Sequence, residues 1–274
     1  MKGQAVLAAA LDERRRGDYI RGGVGRAGEG ARRAFYRSED GPGLKYLDES
    51  RLAAEDERAF QGAHPYPWCN PAGLLRDDAY EALRANLPSL DIMQPCFGKA
   101  RKHGQRSHDR YALTYSDGLD LPEAWRGFVD ELQGPDYRAF LARMMGSDSF
   151  ELDFHWHYTP NGCSVSPHCD AWWKLGSHIF YFNTEADWSP DWGGETVILD
   201  DHGRFSFRSA PDFGDFDHAY GSNALGNNSL LFIRNGRSWH GVREIACPEG
   251  KLRKVFIVVI KRRNLATRLK SLVA

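Results

Sequence analysis

The feature that most restricts the fold of this chain is the pattern of its residues after Gly146. Short apolar or alternating runs are separated there by Gly, Pro, Asn and Asp, the residues that favour turns. These runs predict seven strands, at residues 150–158, 164–168, 177–183, 196–199, 229–233, 241–245 and 253–261. Many short strands with turn residues between them are typical of a β-sandwich or a β-barrel.

The half of the chain before Gly146 has a different pattern. Apolar residues at helical spacing predict helices over 52–60, 76–87 and 121–145, the last with a break at Gly134-Pro135. A further helix is predicted over Ala5–Arg16. We therefore expect a mainly β protein with flanking helices (α+β) and a helical N-terminal half.

The same change of pattern suggests how the chain is divided. Residues 1–62 are rich in charge and glycine, and we expect a helical, partly flexible extension there. Residues 63–274 are expected to form a single domain, with helical support over 63–148 and a β core over 149–263.

Charge and cysteine usage limit the partners. The net charge is −1 and the pI is about 6.8, so neither nucleic acid nor an anionic membrane is expected to bind. No apolar stretch approaches the ~20 residues of a membrane span, and no signal peptide is predicted. Five cysteines without a CxxC pair suit a reducing, cytoplasmic location. The oligomeric state is left open.

The residues that carry chemistry lie in Pro167-His168-Cys169-Asp170. Side chains two apart on an extended chain point the same way, so His168 and Asp170 are able to present a nitrogen and an oxygen to one metal ion. His240, in Ser238-Trp239-His240-Gly241-Val242, is the candidate third ligand. Two histidines and one carboxylate on one face leave positions open on an octahedral metal, as in non-haem Fe(II) oxygenases.

These segments occur together with others in a specific order. Tyr158-Thr159-Pro160-Asn161-Gly162 precedes His168, and the strand Ile179–Asn183 and the turn Trp192-Gly193-Gly194-Glu195-Thr196 follow Asp170. Asn228–Phe232, the His240 segment and Arg253 complete the series. In this combination the chain resembles the 2-oxoglutarate/Fe(II)-dependent oxygenase superfamily, specifically its prolyl-hydroxylase-like branch.

The resemblance implies a fold and a set of ligands. The β core would be a double-stranded β-helix, a jelly-roll variant related to the cupins. His168, Asp170 and His240 would hold Fe(II), with 2-oxoglutarate and O2 as co-substrates. No catalytic residue beyond these metal ligands is implied.

The resemblance also implies a basic residue for the distal carboxylate of 2-oxoglutarate. A guanidinium grips a carboxylate through two parallel hydrogen bonds, and Arg253 at the start of a strand is the first choice. Lys251 and Arg243 are the alternatives. Tyr181 and Tyr158 match tyrosines that line the co-substrate pocket in the family.

Other residues are candidates for substrate contact. Trp172, Trp173 and Lys174 follow Asp170 and are predicted to form either a packed loop or a substrate wall, in which Lys174 meets a carboxylate or a phosphate. The basic run 99–110 is either a solvated loop or a lid over an anionic substrate, and the aromatic-rich loop 200–226 is a second candidate lid. The histidines at positions 155, 157 and 178 are expected to be structural.

The predicted activity is hydroxylation of a C–H bond in a small molecule or an amino-acid or peptide substrate, with release of succinate and CO2. The alternatives are a peptidyl or protein hydroxylase of the prolyl type, a non-catalytic cupin-like metal-binding protein, and a zinc hydrolase. The sequence contains no HExxH motif that would favour the last of these.

Overall fold

The computed structural model describes residues 44–263. The predicted helix Ala5–Arg16 lies outside these residues. The described part has five α-helices: α1 Glu49–Ala54, α2 Glu57–Gln61, α3 Asp77–Ala85, α4 Glu123–Gln133 and α5 Pro135–Met145. Its eleven strands are β1 Trp68–Cys69, β2 Gln94–Cys96, β3 Arg110–Thr114, β4 Phe150–Pro160, β5 Val165–His168, β6 Lys174–Tyr181, β7 Val197–Asp200, β8 His218–Gly221, β9 Ser229–Ile233, β10 Trp239–Val242 and β11 Leu252–Arg262.

The strands form two antiparallel sheets. The large sheet has the order β1-β9-β6-β11-β4-β3-β2, and the small sheet has the order β5-β10-β7-β8. The sheets pack against each other, since Ile198 of β7 lies in one apolar cluster with Ile179, Leu230 and Val255 of the large sheet. Consecutive strands from β4 to β7 alternate between the sheets, so the loops between them cross the edge of the sandwich.

Helices α4 and α5 cover the outer face of the large sheet. In α4, Trp125, Phe128, Val129 and Leu132 recur at helical spacing and are all buried. The Trp125 ring packs edge-on against Trp156 of β4, with 5.2 Å between centroids. Pro135 begins α5, where its missing N–H costs no hydrogen bond, and Gly146 ends it in the left-handed conformation.

This packing decides which residues of β4 face the interior of the sandwich. Phe154, Trp156 and Tyr158 lie in the cluster shared with the helices. Side chains alternate along a strand, so His157 and Thr159 point to the opposite side, between the two sheets. The register sets Arg253 of β11 directly beside Thr159.

The mainly β architecture with flanking helices is confirmed, and several details differ from the prediction. The N-terminal half is not only helical, because β1, β2 and β3 extend the large sheet. The predicted strand 241–245 lies at Trp239–Val242, and β8 was not predicted. The predicted helix 52–60 is two short helices, since Asp56 caps a new helix by accepting from Arg58 N and Ala59 N. Within residues 44–263, no helix is long and apolar enough to cross a membrane.

Candidate metal centre and its pocket

Three buried side chains converge at the end of the small sheet. Antiparallel pairing of β5 and β10 sets His240 directly opposite His168, and the two rings lie 4.4 Å apart. Asp170 follows β5 by two residues. One ligand atom from each of the three lies within 4.8 Å of the others, the only such group of three or more found in residues 44–263.

The hydrogen bonds of the two imidazoles leave the same nitrogen free on each ring. His168 Nδ1 donates to Ser166 O at 2.9 Å, and His240 Nδ1 donates to Ser238 O at 3.0 Å. A carbonyl oxygen only accepts, so each Nδ1 carries the hydrogen and each Nε2 keeps its lone pair. Burial lowers the pKa of both histidines, which favours the neutral form that binds metals.

The Asp170 carboxylate is held from two sides. Lys174 Nζ donates to Oδ1 at 2.7 Å, and Ser177 Oγ donates to Oδ2 at 3.1 Å. Burial, the largest single effect, raises the pKa of this carboxyl, but the charge and hydrogen bond of Lys174 together with the two neighbouring histidines outweigh burial, and the pKa lies below its ordinary value. The carboxylate is therefore ionised and oriented, with His168 Nε2 at 4.0 Å from Oδ1.

These donors fit a divalent transition metal. Two neutral imidazole nitrogens and one carboxylate oxygen are the ligand set of facial non-haem iron sites, which leave positions free for further ligands. Each ligand also has the outer hydrogen-bond partner that such sites require to fix ring and carboxylate orientation. The three residues that the sequence brought forward as ligands are thus assembled by the fold.

A cavity of about 270 Å³ lies beside this group, between the two sheets. Arg253 lines it and is only 6% exposed. Its Nε donates to Gly194 O, and its Nη2 donates to Thr196 Oγ1 at 3.2 Å. Gly194 has a φ of +99°, and a side chain there would meet Arg253 Cδ at 3.3 Å, which explains the Gly-Gly turn.

Arg253 has no carboxylate partner among residues 44–263, and burial lowers the pKa of its guanidinium. An unpaired buried cation beside a cavity favours binding of an anion there. Of the alternatives for this role, Lys251 and Arg243 are both exposed and neither lines the cavity. The Arg243 guanidinium instead stacks on the Phe213 ring at 4.8 Å.

The two tyrosines differ. Tyr181 is buried beside Arg253, whose guanidinium carbon lies 5.7 Å from the ring centroid, and its hydroxyl donates to Thr196 Oγ1 at 3.0 Å. The prediction that Tyr158 lines the co-substrate pocket is wrong. Tyr158 points into the helical side of the sheet, where its hydroxyl donates to Pro88 O at 3.0 Å, so it does not reach the cavity.

The alternation that turns Tyr158 away brings His157 into the cavity lining, contrary to the prediction that it is structural. His178 is structural as predicted, since its Nδ1 accepts from Tyr137 Oη at 2.8 Å in the core. His108 and Arg110 also line the cavity, although the sequence brought them forward only as part of the basic run 99–110. The period-two alternation of β4 puts His157 and Thr159 on one face, but it does not indicate which face of the strand lines the cavity.

The residues of the predicted substrate wall lie in two different places. Lys174 lines the cavity, but its ammonium contacts Asp170, so it is not free to meet a substrate anion as expected. Trp172 and Trp173 are 69% and 38% exposed and border a hollow at the mouth together with Phe207.

The two predicted lid segments meet at this mouth. Arg106 forms an ion pair of 2.8 Å with Asp212, and Gln105 Nε2 donates to Ser209 O at 3.5 Å. Both segments line the hollow beside Asp170, and their role as lids stays a prediction.

Together the fold and this group define a class, a mainly β protein with a buried two-histidine, one-carboxylate centre between antiparallel sheets. No family model and no curated protein sequence matches the chain. Solved structures do. A prolyl-4-hydroxylase from Pseudomonas putida has a TM-score of 0.55 and 17% identity, over 76% of this chain and 99% of that one.

Two further structures are similar. A Trichoplax adhaerens prolyl hydroxylase, solved with a hypoxia-inducible-factor peptide fragment, has a TM-score of 0.56 and 11% identity, over 78% of this chain and 90% of its own. The non-haem α-ketoglutarate-dependent carbocyclase SnoK from nogalamycin biosynthesis has a TM-score of 0.54 and 12% identity, over 81% and 92%. The chain therefore has the fold of the 2-oxoglutarate/Fe(II) oxygenases, in the form found in prolyl hydroxylases, which confirms the resemblance seen in its motifs.

Proposed function

We propose that the protein is a 2-oxoglutarate-dependent non-haem iron dioxygenase that hydroxylates a C–H bond of a small molecule or an amino-acid or peptide substrate. Its β core would be a double-stranded β-helix, within a single domain that also includes α1 and α2, because Leu52 and Phe60 are buried in one cluster with α4 and α5. The observation that carries the proposal is Arg253, a buried guanidinium that forms no ion pair with an acid of residues 44–263 and lines the same cavity as His168, Asp170 and His240.

Each residue has a defined task in this proposal. His168 and His240 would hold Fe(II) through Nε2, and Asp170 would hold it through a carboxylate oxygen. Bound together, Fe(II), 2-oxoglutarate and O2 supply oxidative hydroxylation with release of succinate and CO2. Arg253 would bind the distal carboxylate of the co-substrate and so fix its orientation.

The surroundings assist these tasks. Tyr181 and Thr196 form a hydrogen-bond chain that holds the Arg253 guanidinium, with Ser222 Oγ 2.8 Å from the tyrosine hydroxyl. Lys174 and Ser177 hold the Asp170 carboxylate in place. The apolar side chains of Val255 and Ile257 line the cavity and limit the water that enters it.

A peptidyl or protein hydroxylase of the prolyl type is the second candidate. The exposed Trp172 ring at the mouth supports it, because a flat apolar surface beside an opening is a typical contact for an extended peptide. Trp172→Ala separates the two candidates. For a peptide substrate we expect a higher KM with little change in kcat, and for a small molecule enclosed in the cavity we expect no change in either.

The test of the proposed function begins without a known substrate. Purified protein is titrated anaerobically with Fe(II) and then 2-oxoglutarate, and the charge-transfer absorption of the chelate is recorded. Succinate release in air is then measured against amino acids, peptides and sugar acids. His240→Ala should abolish both signals while the unfolding temperature is retained.

Other outcomes are equally informative. Tight binding of Zn(II) with hydrolysis of ester or amide probes, and no 2-oxoglutarate complex, would identify a zinc hydrolase instead. Metal binding without a chelate or succinate would identify a cupin-like binding protein.

A further inference from the structure

A second cationic position, which belongs neither to the metal-ligand group nor to Arg253, lies in the same cavity. Arg110 in β3 lines the cavity and is half-buried. Its neighbour Tyr111 pairs with Tyr158, so the same register sets Arg110 beside Thr159. Thr159 is also the partner of Arg253. The two arginines therefore flank one threonine across three adjacent strands, on the face that lines the cavity.

The Arg110 guanidinium has little to bind within residues 44–263. Its Nη1 donates to His108 O at 2.7 Å, and its buried Nε has no hydrogen-bond partner. No carboxylate in the described part of the chain lies within salt-bridge distance. Buried polar groups are ordinarily satisfied, and an unsatisfied cationic donor is costly. Such a cost is commonly retained at binding sites.

Arg101 adds a second guanidinium at the exposed mouth of the cavity. Burial and then repulsion from Arg110 lower the pKa of Arg101, and burial lowers that of Arg110. The two cations thus share one region of space, and no carboxylate of residues 44–263 forms an ion pair with either of them. The His108 ring lies 4.6 Å from the His168 ring, so this region borders the metal ligands.

The charges that line the cavity are strongly unequal. Four cationic side chains (Arg101, Arg110, Lys174 and Arg253) face one carboxylate, that of Asp170. An excess of three positive charges remains. Fe(II) and doubly charged 2-oxoglutarate cancel each other, so the co-substrate does not remove this excess.

We propose that Arg110, assisted by Arg101 at the mouth, binds an anionic group of the substrate, a carboxylate or a phosphate monoester. The proposal rests on the proposed oxygenase function and names the substrate class for that site. Its anion subsite is separate from that of 2-oxoglutarate, which Arg253 binds. A cavity of about 270 Å³ is at the small end of ligand pockets, which suits a small organic acid.

The experiment uses matched triplets of small compounds, each a carboxylic acid, its primary amide and a phosphate monoester of similar size. Binding to protein loaded anaerobically with Fe(II) and 2-oxoglutarate is measured from the rise in unfolding temperature with concentration. We expect at least one acid or phosphate monoester to bind about tenfold or more tightly than its amide. The acid and phosphate arms distinguish the two sources of the charge.

In Arg110→Gln, the affinities for the anion and for its amide should differ by no more than about twofold. Arg110→Lys keeps the charge but loses the planar fork, so part of the preference should remain. Arg58→Gln, the same change on the exposed side of α2, should leave the preference intact. The affinity for 2-oxoglutarate should be unchanged in all three variants.

The proposal is wrong if every amide binds as tightly as its acid, or if Arg110→Gln keeps the preference. It is also wrong if Arg110→Gln weakens 2-oxoglutarate binding instead, because Arg110 then belongs to the co-substrate site. Failure of the wild-type protein to form the Fe(II)–2-oxoglutarate complex is a different result, and it refutes the oxygenase function itself.

Discussion

Replacing Arg253 by Met tests the co-substrate site most directly. Methionine is similar in length and apolar, so it fills the space of the side chain while removing the charge and all five N–H donors. Arg253 is 6% exposed and lines the cavity without an acid partner among residues 44–263. We expect the variant to fold and to lose its affinity for 2-oxoglutarate.

The size of the loss follows from the burial of the contact. A hydrogen bond to a charged group contributes about 1.5–3 kcal/mol, and solvent screening is small at this depth. One such contact corresponds to a roughly 10- to 150-fold increase in Kd, at about 1.4 kcal/mol per factor of ten. At a ligand concentration of 100 Kd, 2-oxoglutarate stabilises the wild-type protein by about 2.7 kcal/mol. A 100-fold weaker variant gains only about 0.4 kcal/mol under the same conditions.

The assay is an anaerobic titration of Fe(II)-loaded protein with 2-oxoglutarate, followed by absorption and, separately, by the shift in unfolding temperature. Lys251→Met and Arg243→Met are the matched controls. Lys251 directly precedes β11 and Arg243 directly follows β10, and removal of either exposed cation should change Kd less than about twofold, because exposed charge contacts contribute little.

An unchanged Kd in Arg253→Met would refute the assignment of this guanidinium as the anchor. A large loss in Lys251→Met with none in Arg253→Met would transfer the role to the turn before β11. A loss of iron binding in Arg253→Met would show that the arginine supports the metal ligands rather than the co-substrate.

Three further predictions concern the same centre. Lys174→Met removes the partner of the Asp170 carboxylate, and we expect metal affinity, measured by competition with a chelator, to fall by about 10- to 100-fold; unchanged affinity would contradict this role. Tyr181→Phe should raise the Kd for 2-oxoglutarate several-fold by loosening the chain to Arg253, whereas Tyr158→Phe should leave that Kd alone and lower the unfolding free energy by about 1 kcal/mol; equal effects on Kd would show this distinction to be mistaken. In the metal-free protein, burial lowers the pKa of His108 to about 3 from an ordinary 6.5, so the unfolded chain takes up this proton first on acidification. The contribution of the neutral His108 to the free energy of unfolding is therefore fully present above pH 6.5, and it is lost by about 1.4 kcal/mol per pH unit as the pH falls towards 3. Urea unfolding of the wild type and of His108→Gln at pH 7 and pH 5.5 tests this, and the free energy of unfolding should depend less on pH in the variant.

Tyr158 and Tyr181 show which part of the site could be predicted from the sequence and which could not. Tyr158 and Tyr181 both matched a motif, and both are buried. The motif predicts that a tyrosine occupies the position, whereas the direction of its side chain depends on which face of the sheet the helices cover. Trp125 packs on Trp156, and that contact turns Tyr158 outward and His157 inward. No local spacing in the sequence reveals that contact, because α4 and β4 meet only in the folded chain.

Local sequence patterns were enough to predict most of the strands and helices and the three candidate metal ligands. Alternating apolar runs and turn residues are local properties, and they were sufficient to predict most of the sandwich strands. The spacing of His168 and Asp170 likewise depends only on the geometry of an extended chain. His240 was identified by its motif, and antiparallel pairing of β5 and β10 sets it opposite His168.

Which charged side chains share the cavity follows from how the strands pair, and not from the local sequence. Arg110 lies in a segment that the sequence describes as a basic loop, and it becomes a lining residue because β3 adds to the large sheet beside β4. Lys174 was predicted to meet a substrate, and the fold gives it to Asp170. Charged side chains pair when they lie close together across neighbouring strands. That distance is set by the hydrogen-bond register of the strands, and it cannot be read from the separation of the residues along the chain.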